Sequence, residues 1–353
     1  MSDIITSQQS VRVSAKRPGL AETNARRWFW LVVLVLVLLA VALASLMIGS
    51  RDIGARTALD ALFAYDDSDE HAIVRALRLP RTILGVGVGV ALGMAGALMQ
   101  ALTRNPLADP GLLGVNAGAY FAVVLGVSLF GLSGIGSYIW FALAGAIVTT
   151  IVVYVVGVVG RFSGTPVRLT LAGVAIGAVL SGVSAGITLL DPTSFDRLRQ
   201  WSAGSLVGQT DAGLLVVLPF IACGLVAAFL VARPLNAIAL GDDLALAVGV
   251  SVKRTRIVVI AATTLLAGAA TAAAGPIGFV GLMVPHLARW IGGTDQRWIF
   301  AYTMVLGPIL LLVADIAGRL VMRPAELQVG IVTAFIGAPV LIALARRRKV
   351  SGL

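Results

Sequence analysis

Long apolar runs separated by short polar breaks dominate the pattern along this chain. A membrane-spanning helix needs about 20 consecutive apolar residues, so each run of roughly that length predicts one crossing of a bilayer. The sequence contains ten such runs and therefore predicts an all-α polytopic membrane protein with about ten transmembrane helices. Their approximate limits are Trp28–Ile48, Thr82–Leu102, Leu112–Phe130, Tyr138–Val159, Leu169–Leu190, Leu214–Val231, Ile257–Ala274, Ile277–Ile291, Ile299–Ala317 and Val329–Ala345.

Two of these runs leave alternatives open. The eighth is short, contains Pro285 and follows Gly275-Pro276, so it is either a broken, partly re-entrant helix or a kinked but complete span. The first follows a pair of arginines, as the apolar part of a cleavable signal peptide would. It continues to Ile48, however, and this length favours a retained anchor.

Basic residues orient the spans. With both termini in the cytoplasm, the cytoplasmic segments hold 18 of the 27 basic residues and 6 of the 17 acidic ones. This excess satisfies the positive-inside rule. We therefore expect a cytoplasmic N-terminal tail over residues 1–27, a ten-span domain over 28–345 with a cytoplasmic segment at 233–256, and a basic cytoplasmic tail over 346–353.

Composition excludes a soluble globule and a P-loop ATPase. The chain has 353 residues, of which 58% are hydrophobic and 12% charged, whereas an ordinary soluble domain is about 45–50% apolar and about 25% charged. A Walker A loop needs a lysine directly after glycine. The three lysines, Lys16, Lys253 and Lys349, follow alanine, valine and arginine instead.

Residues that usually carry chemistry are sparse. His71 and His286 lie far apart without zinc-ligand spacing, and the single cysteine, Cys223, lies in an apolar run where a buried thiol is expected. No Ser/His, Cys/His or paired-Asp constellation falls within the spans, which disfavours an intramembrane enzyme. We predict no catalytic site, metal site or cofactor site in this chain.

Several arginines go against the positive-inside pattern. Arg75, Arg78 and Arg81 precede the second span, and Arg319 and Arg323 follow the ninth. Arginine pairs bidentately with carboxylates, so an acidic extracellular protein or an anionic solute would fit these groups. Snorkelling to lipid headgroups is the alternative interpretation.

Asp315 is the clear ionisable residue within a span. Ion-coupled carriers usually depend on intramembrane ionisable residues, and this chain has almost none. Arg319 lies four residues later on the same helix face, so we expect a local ion pair rather than a proton relay. The pattern therefore disfavours a proton-coupled secondary carrier.

A short amphipathic helix is predicted on the cytoplasmic face within ALGDDLALAVGV, residues 239–250. Leu240, Leu244 and Val248 recur at helical spacing, and Gly249 provides a stop. Such a helix can fill a groove on another protein. A position on the membrane surface is the alternative, although anionic lipid would repel its acidic polar face.

Glycines and prolines indicate close packing and turns. Glycines repeat every four residues over 85–93, 173–177 and 182–186, which allows helices to approach closely. Proline-containing turns, RNPLADP at 104–110 and SGTP at 163–166, follow the second and fourth spans. These cytoplasmic turns are either gates or simple connectors.

Five ordered motifs resemble the permease subunits of ABC importers for iron-siderophore, haem and cobalamin. They are RLPR at 78–81, MQALTRNPLADPGLLGVNAGA at 99–119, ALGDDLALAVGV at 239–250, GPIGFVGLMVPHLAR at 275–289 and PAELQVGIVTAFIGAPV at 324–340. The resemblance covers nearly everything after about Arg75, and the first span is matched by hydropathy alone. Gln296 and Gln328 depart from the family pattern, which has histidine and proline there.

The resemblance implies a type II ABC importer permease fold in a bacterial cytoplasmic membrane, with both termini cytoplasmic. Such a subunit pairs with the same or a homologous permease, receives solute from an extracytoplasmic binding protein and carries two cytoplasmic ATPase subunits, which bind ATP and Mg. Nucleic acid is not an expected partner. Ferric siderophores are the expected solute, with haem or cobalamin as alternatives.

The resemblance also implies roles for particular residues. Arg78, Arg81 and Arg319 would dock acidic residues of the binding protein. The other implied sites are ATPase coupling at Leu240, Gly241, Leu244, Ala245, Val248 and Gly249, and a cytoplasmic gate at Asn105, Leu107, Thr165 and Pro166.

Overall fold

The computed structural model describes residues 23–132, 135–158, 166–207, 211–323 and 325–346. Most of the two predicted tails and the predicted gate residue Thr165 lie outside these ranges. In chain order the helices are α1 Asn24–Met47, α2 Ala55–Phe63, α3 Asp69–Ile73, α4 Leu79–Thr103, α5 Val115–Phe130, α6 Ile135–Val158, α7 Pro166–Leu190, α8 Pro192–Ser202, α9 Asp211–Ile238, α10 Asp242–Ala247, α11 Val252–Ala274, α12 Val280–Gly292, α13 Gln296–Val321 and α14 Val329–Arg346. A π-helical turn, Val74–Arg78, joins α3 to α4, and a 3-10 turn, Pro110–Leu113, precedes α5.

The prediction of an all-helical membrane protein is confirmed, but the number of ten spans is not. Within the described residues, seven helices are long and apolar enough to cross a bilayer: α1, α4 together with α3, α6, α7, α9, α11 and α13. Helices α5 and α14 are apolar but shorter. Helix α12, which corresponds to the eighth apolar run, has 13 residues.

The eighth run forms a short helix that continues through Pro285 and is preceded by a break in the backbone. Helix α11 ends at Ala274, and residues 275–278 are non-helical before α12 begins at Val280. Gly275 has a φ of +73°, and a Cβ there would overlap the carbonyl oxygen of Trp201, so glycine is required at this break. At 1.5 Å per residue α12 is about 20 Å long, which is less than the bilayer core of about 30 Å.

Helix α4 lies at the centre of the bundle and packs against α9, α11, α12 and α13. Every residue from Ala91 to Leu102 is buried. A Cβ on Gly89 would come within 2.6 Å of Pro308, and one on Gly93 within 2.9 Å of Thr303, so the glycine repeat brings α4 and α13 together as predicted. By contrast, a Cβ on Gly182 or Gly186 in α7 would meet nothing within 4 Å.

Helix α1 lies on the outside of the bundle against α13. Only Ser45 and Leu46 are buried, so most of its apolar surface is left to face lipid. At its N-terminal end Trp28 contacts Trp298 edge-on with 5.3 Å between ring centroids. The hydroxyl of Tyr302 donates to the carbonyl of Arg27 at 2.8 Å.

Three further features can be compared with the sequence predictions: Cys223, the end of α9 and the start of α14. Cys223 is exposed on α9 rather than buried. Helix α9 continues through Pro234 to Ile238, past the expected limit at Val231, and a proline in a membrane helix is tolerated because neighbouring groups can satisfy the freed carbonyl. Helix α14 begins at Val329 as expected even though glutamine occupies position 328, whose carbonyl accepts from the N–H of Ile331 at 3.0 Å.

Candidate functional site

The three arginines expected to dock a binding protein lie together at the end of the bundle opposite α10, which we call the outer end. Arg81 Nη2 lies 2.7 Å from Asp315 Oδ1, and Arg81 Nη1 lies 2.7 Å from Glu326 Oε2. Arg319 Nε donates to Asp315 Oδ2 at 3.0 Å. The predicted ion pair between Asp315 and Arg319 is confirmed, and Asp315 also binds a second arginine that the sequence pattern did not assign to it.

Arg78 and Arg319 hold the C-terminal end of α1. The last carbonyls of a helix have no intrahelical donor, and a cation at that end interacts favourably with the helix dipole. The Nη1 atoms of the two arginines donate at 2.7–2.9 Å to the carbonyls of Ser45, Leu46, Met47 and Ile48. Both arginines therefore supply hydrogen bonds that α1 cannot make for itself.

Burial differs among these three arginines. Arg78 is 6% exposed and Arg319 is 2% exposed, because α1 covers them and takes up their donors. In this chain alone, both side chains are therefore buried. The side chain of Arg81 is 13% exposed and its partner Glu326 is 32% exposed, so this pair is the part of the group nearest the surface. The docking role itself stays a prediction.

A cavity of about 370 Å³ opens beside Arg81 at the outer end. Asp315, Glu326, Gln200 and Gln328 also line it, so its wall is rich in polar groups. Gln328 is the position where the family pattern has proline. This departure therefore places a polar side chain at a cavity rather than disturbing the start of α14.

Other charged residues are more accessible at the outer end. Arg51 pairs with Glu70 at 3.1 Å, and Arg323 pairs with Asp52 at 2.8 Å. The hydrogen bond from Arg323 lowers the pKa of the Asp52 carboxyl. Arg51 stands apart in the sequence from the compact arginine groups and was not predicted to dock a partner, but its side chain is 61% exposed.

The predicted cytoplasmic helix is present as α10, six residues long. Leu240, Leu244 and Val248 are 66%, 58% and 70% exposed, and Leu246, which the spacing did not select, is 60% exposed. We call these four exposed apolar residues the leucine surface. Ala245 differs from the other residues assigned to coupling, because it is fully buried and anchors α10 to its own chain.

A cavity of about 450 Å³ lies between the end of α4 and the start of α7, next to the described parts of the two predicted gate turns. Its lining includes Thr103 at the end of α4, Leu169 near the start of α7 and Leu246 of the leucine surface. In the first turn Asn105 Oδ1 accepts from the backbone N–H of Leu107 at 2.9 Å, which fixes the turn. Pro166 is the first residue of α7, as suits a residue with a preset φ.

Within the described residues, no group of three or more His, Cys, Asp or Glu side chains could hold a metal ion. His71 Nδ1 lies 2.7 Å from Asp66 Oδ1, and His286 packs against Trp290 with 4.9 Å between ring centroids. Both histidines therefore make contacts within the chain.

Comparisons with known proteins match this architecture. The model of the FecCD transport family matches residues 34–347. The chain is 50% identical over 321 residues to the ferric enterobactin transport system permease protein FepD of Escherichia coli (strain K12), with 91% of this chain and 95% of that protein covered. It is 36% identical over 327 residues to the hemin transport system permease protein HmuU of Yersinia pestis, with 91% and 95% covered.

A solved structure described as an inward-facing conformation of a metal-chelate type ABC transporter has the same fold. It aligns with a TM-score of 0.79 at 27% identity and covers 91% of this chain and 99% of that one. The family match extends over most of the chain, including the helices that carry the outer arginines and the leucine surface. This chain is a multi-pass membrane permease that belongs to the FecCD transport family.

Proposed function

We propose that this chain is the transmembrane permease subunit of an ATP-driven ABC importer for ferric siderophore complexes. The observation that carries the proposal is the 50% identity to FepD over 91% of this chain, because FepD is a ferric enterobactin permease. Hemin is the alternative solute, supported by the similarity to HmuU. Cobalamin is a further alternative from the motif resemblance.

In this proposal two partner ATPases bind at the leucine surface. Leucines exposed at 58–66% on and just before a helix outside the spans are costly in water, and a groove on a partner would cover them. The partners bind ATP and Mg and hydrolyse the nucleotide. This chain performs no chemistry, which agrees with its lack of a Gly-Lys pair for a Walker A loop.

The proposal places two further partners around the bundle in a bacterial cytoplasmic membrane. A second permease, the same or homologous, packs against α7, where Gly182 and Gly186 leave open space. An extracytoplasmic binding protein docks at the outer end, around the partly exposed pair of Arg81 and Glu326. The solute then passes between the two permeases to the gate turns.

The paired state of Asp315 argues against the proton-coupled alternative. A carboxylate that relays protons must be free to change its charge, whereas Asp315 is 1% exposed and contacts both Arg81 and Arg319. In this proposal Asp315 is a structural partner of the two arginines, and ATP drives transport.

Uptake by the assembled complex tests the proposal. The complex of this chain with its ATPase and permease partners would be reconstituted in liposomes, and import of radiolabelled ferric enterobactin, haem and cobalamin would be measured with the binding protein present. We expect ATP-dependent uptake of the ferric siderophore that a protonophore does not inhibit. Uptake driven by a pH gradient without ATPases would contradict the transporter class, and uptake of haem or cobalamin alone would contradict the substrate.

A further inference from the structure

Asp242, the first residue of α10, lies between an arginine of α11 and the arginine that follows α4. Its Oδ2 accepts from Arg256 Nη2 of α11 at 2.5 Å. Its Oδ1 pairs with Arg104 Nη2, at the residue that caps the C-terminal end of α4. One carboxylate therefore joins α10 to α4 and to α11, although Arg104 is 138 residues away in the sequence.

Among the described residues, helix α10 packs mainly against its sequence neighbours α9 and α11. A helix of six residues is not stable in isolation. Its flanking glycines, Gly241 and Gly249, have φ values of +123° and +82°, and their side-chain-free backbones allow a joint at each end. Ala245 is the buried residue of the helix and packs in a small cluster with Ile238 and Val252. The direction in which α10 points therefore depends strongly on the two ion pairs.

The pair with Arg104 leads directly to a predicted gate turn. Arg104 adopts a φ of +52°, a left-handed conformation that is uncommon for residues other than glycine, and Asn105 follows it. Asn105 fixes the turn through its bond to the N–H of Leu107. Movement of α10 relative to the bundle would therefore pull on the end of α4 and on the gate turn together.

We propose that Asp242 is a positioning residue that transmits movement of the ATPases to the gate turn at 104–110. This inference rests on the proposed function, because it assumes that ATPases bind the leucine surface. Arg104, Asp242 and Arg256 form what we call the α10 tether. Each pair is partly exposed, with side chains 26–37% accessible, so its role is geometric and contributes little to global stability. Planar guanidinium groups on two different helices restrict where the carboxylate can sit.

The test compares Asp242→Asn with Asp243→Asn in the full complex. Asparagine keeps the size of aspartate but loses the charge that binds both arginines. Asp243 is the matched control, because it is an exposed acid in the same first turn of α10 and contributes equally to the helix N-terminus. The salt bridges found among the described residues do not include it.

The measurement is the amount of ferric siderophore imported per ATP hydrolysed in liposomes. We expect Asp242→Asn to lower this ratio about five- to tenfold, in the range of typical coupling effects, while ATP hydrolysis changes less than about twofold. Asp243→Asn should match the wild type, and Asp242→Glu should restore most of the ratio. The double variant Arg104→Gln with Asp242→Asn should be no worse than the single Asp242→Asn, because both changes remove the same contact.

Three results would contradict the proposed role of the α10 tether. The first is an unchanged ratio for Asp242→Asn, and the second is an additive loss in the double variant. The third is loss of the ATPases from the Asp242→Asn complex, or a parallel fall in hydrolysis and uptake, because either would show a role in assembly or folding alone. Failure of the wild-type complex to import any of the solutes would instead count against the proposed function, before any variant is compared.

Discussion

Replacing Arg319 with glutamine is expected to release the outer end of α1 and to destabilise the permease itself. The guanidinium group of Arg319 serves Asp315 and the carbonyls of Ser45 and Ile48 at once, from a side chain that is 2% exposed. Glutamine is shorter and carries one donor group, so it cannot reach all three partners. The end of α1 would then lose hydrogen bonds in a place that water reaches poorly.

The size of the loss follows from these contacts. A hydrogen bond from a charged group contributes about 1.5–3 kcal/mol, and removing one partner of a buried ion pair costs about 3–5 kcal/mol. Asp315 keeps its pair with Arg81 at 2.7 Å, so its carboxylate is not left without a cation. We therefore expect a decrease in the free energy of unfolding of about 3 kcal/mol, the lower limit of the ion-pair range.

The matched control is Arg323→Gln. Arg323 also lies at the outer end and pairs with Asp52, but its side chain is 37% exposed, and exposed pairs contribute about 0–1 kcal/mol. The assay is the thermal midpoint of the purified subunit in detergent, followed by its affinity for the binding protein. Arg319→Gln should lower the midpoint and Arg323→Gln should not. An unchanged midpoint for Arg319→Gln, with a loss of affinity alone, would refute the stability argument and favour direct docking.

Three further outcomes are expected. Leu244→Asp places a carboxylate on the leucine surface and should prevent copurification of the ATPases while the permease still folds, and a normal subunit ratio would contradict this placement of the interface. Gly96→Val should lower the thermal midpoint because its Cβ would overlap the carbonyl of Gly281 between α4 and α12, whereas Gly182→Ala, which has open space, should leave the isolated subunit unchanged. Asp191 is the N-cap of α8, and hydrogen bonds from Ser194 and Thr193 lower the pKa of its carboxyl. The ionised carboxylate therefore stabilises the fold fully at neutral pH. This stabilisation is lost as the pH falls below the ordinary pKa of aspartate, near 4. The difference in midpoint between wild type and Asp191→Asn should therefore shrink on acidification, and a difference independent of pH would contradict this role.

The limits of several spans were predictable because backbone N–H and C=O groups in lipid must bond to each other, and a helix satisfies this over the whole apolar run. Helix α11 ends at Ala274, α7 ends at Leu190 and α14 begins at Val329, as the apolar runs indicate. The short helices at the outer end were not predicted, because α2 and α8 have fewer residues than a span and mixed polarity. A window based on bilayer thickness cannot detect such helices.

The partners of the charged residues were mostly not predictable from spacing. The pair of Asp315 and Arg319 was predictable, because the two residues are four positions apart on one helix. Arg78 binds carbonyls 31 and 32 residues away, and Asp242 binds an arginine 138 residues away. Such distances are closed only by packing of the bundle, so local patterns indicate which residues are charged but not which of them are buried or paired.

Helix α4 connects the two groups of ion pairs. Its 25 residues span about 37 Å, with Arg81 bound to Asp315 near one end and Arg104 bound to Asp242 at the other. Proline lies in its first turn and not in its interior, unlike in α9, α12, α13 and α14. A buried helix without an internal break moves as a rigid body, so a shift of the end near Arg104 also shifts the end that carries Arg81. A displacement of α10 that acts through the tether would therefore change the position of Arg81 relative to α13. Movement of the proposed ATPases would in this way alter the surface where the binding protein is proposed to dock.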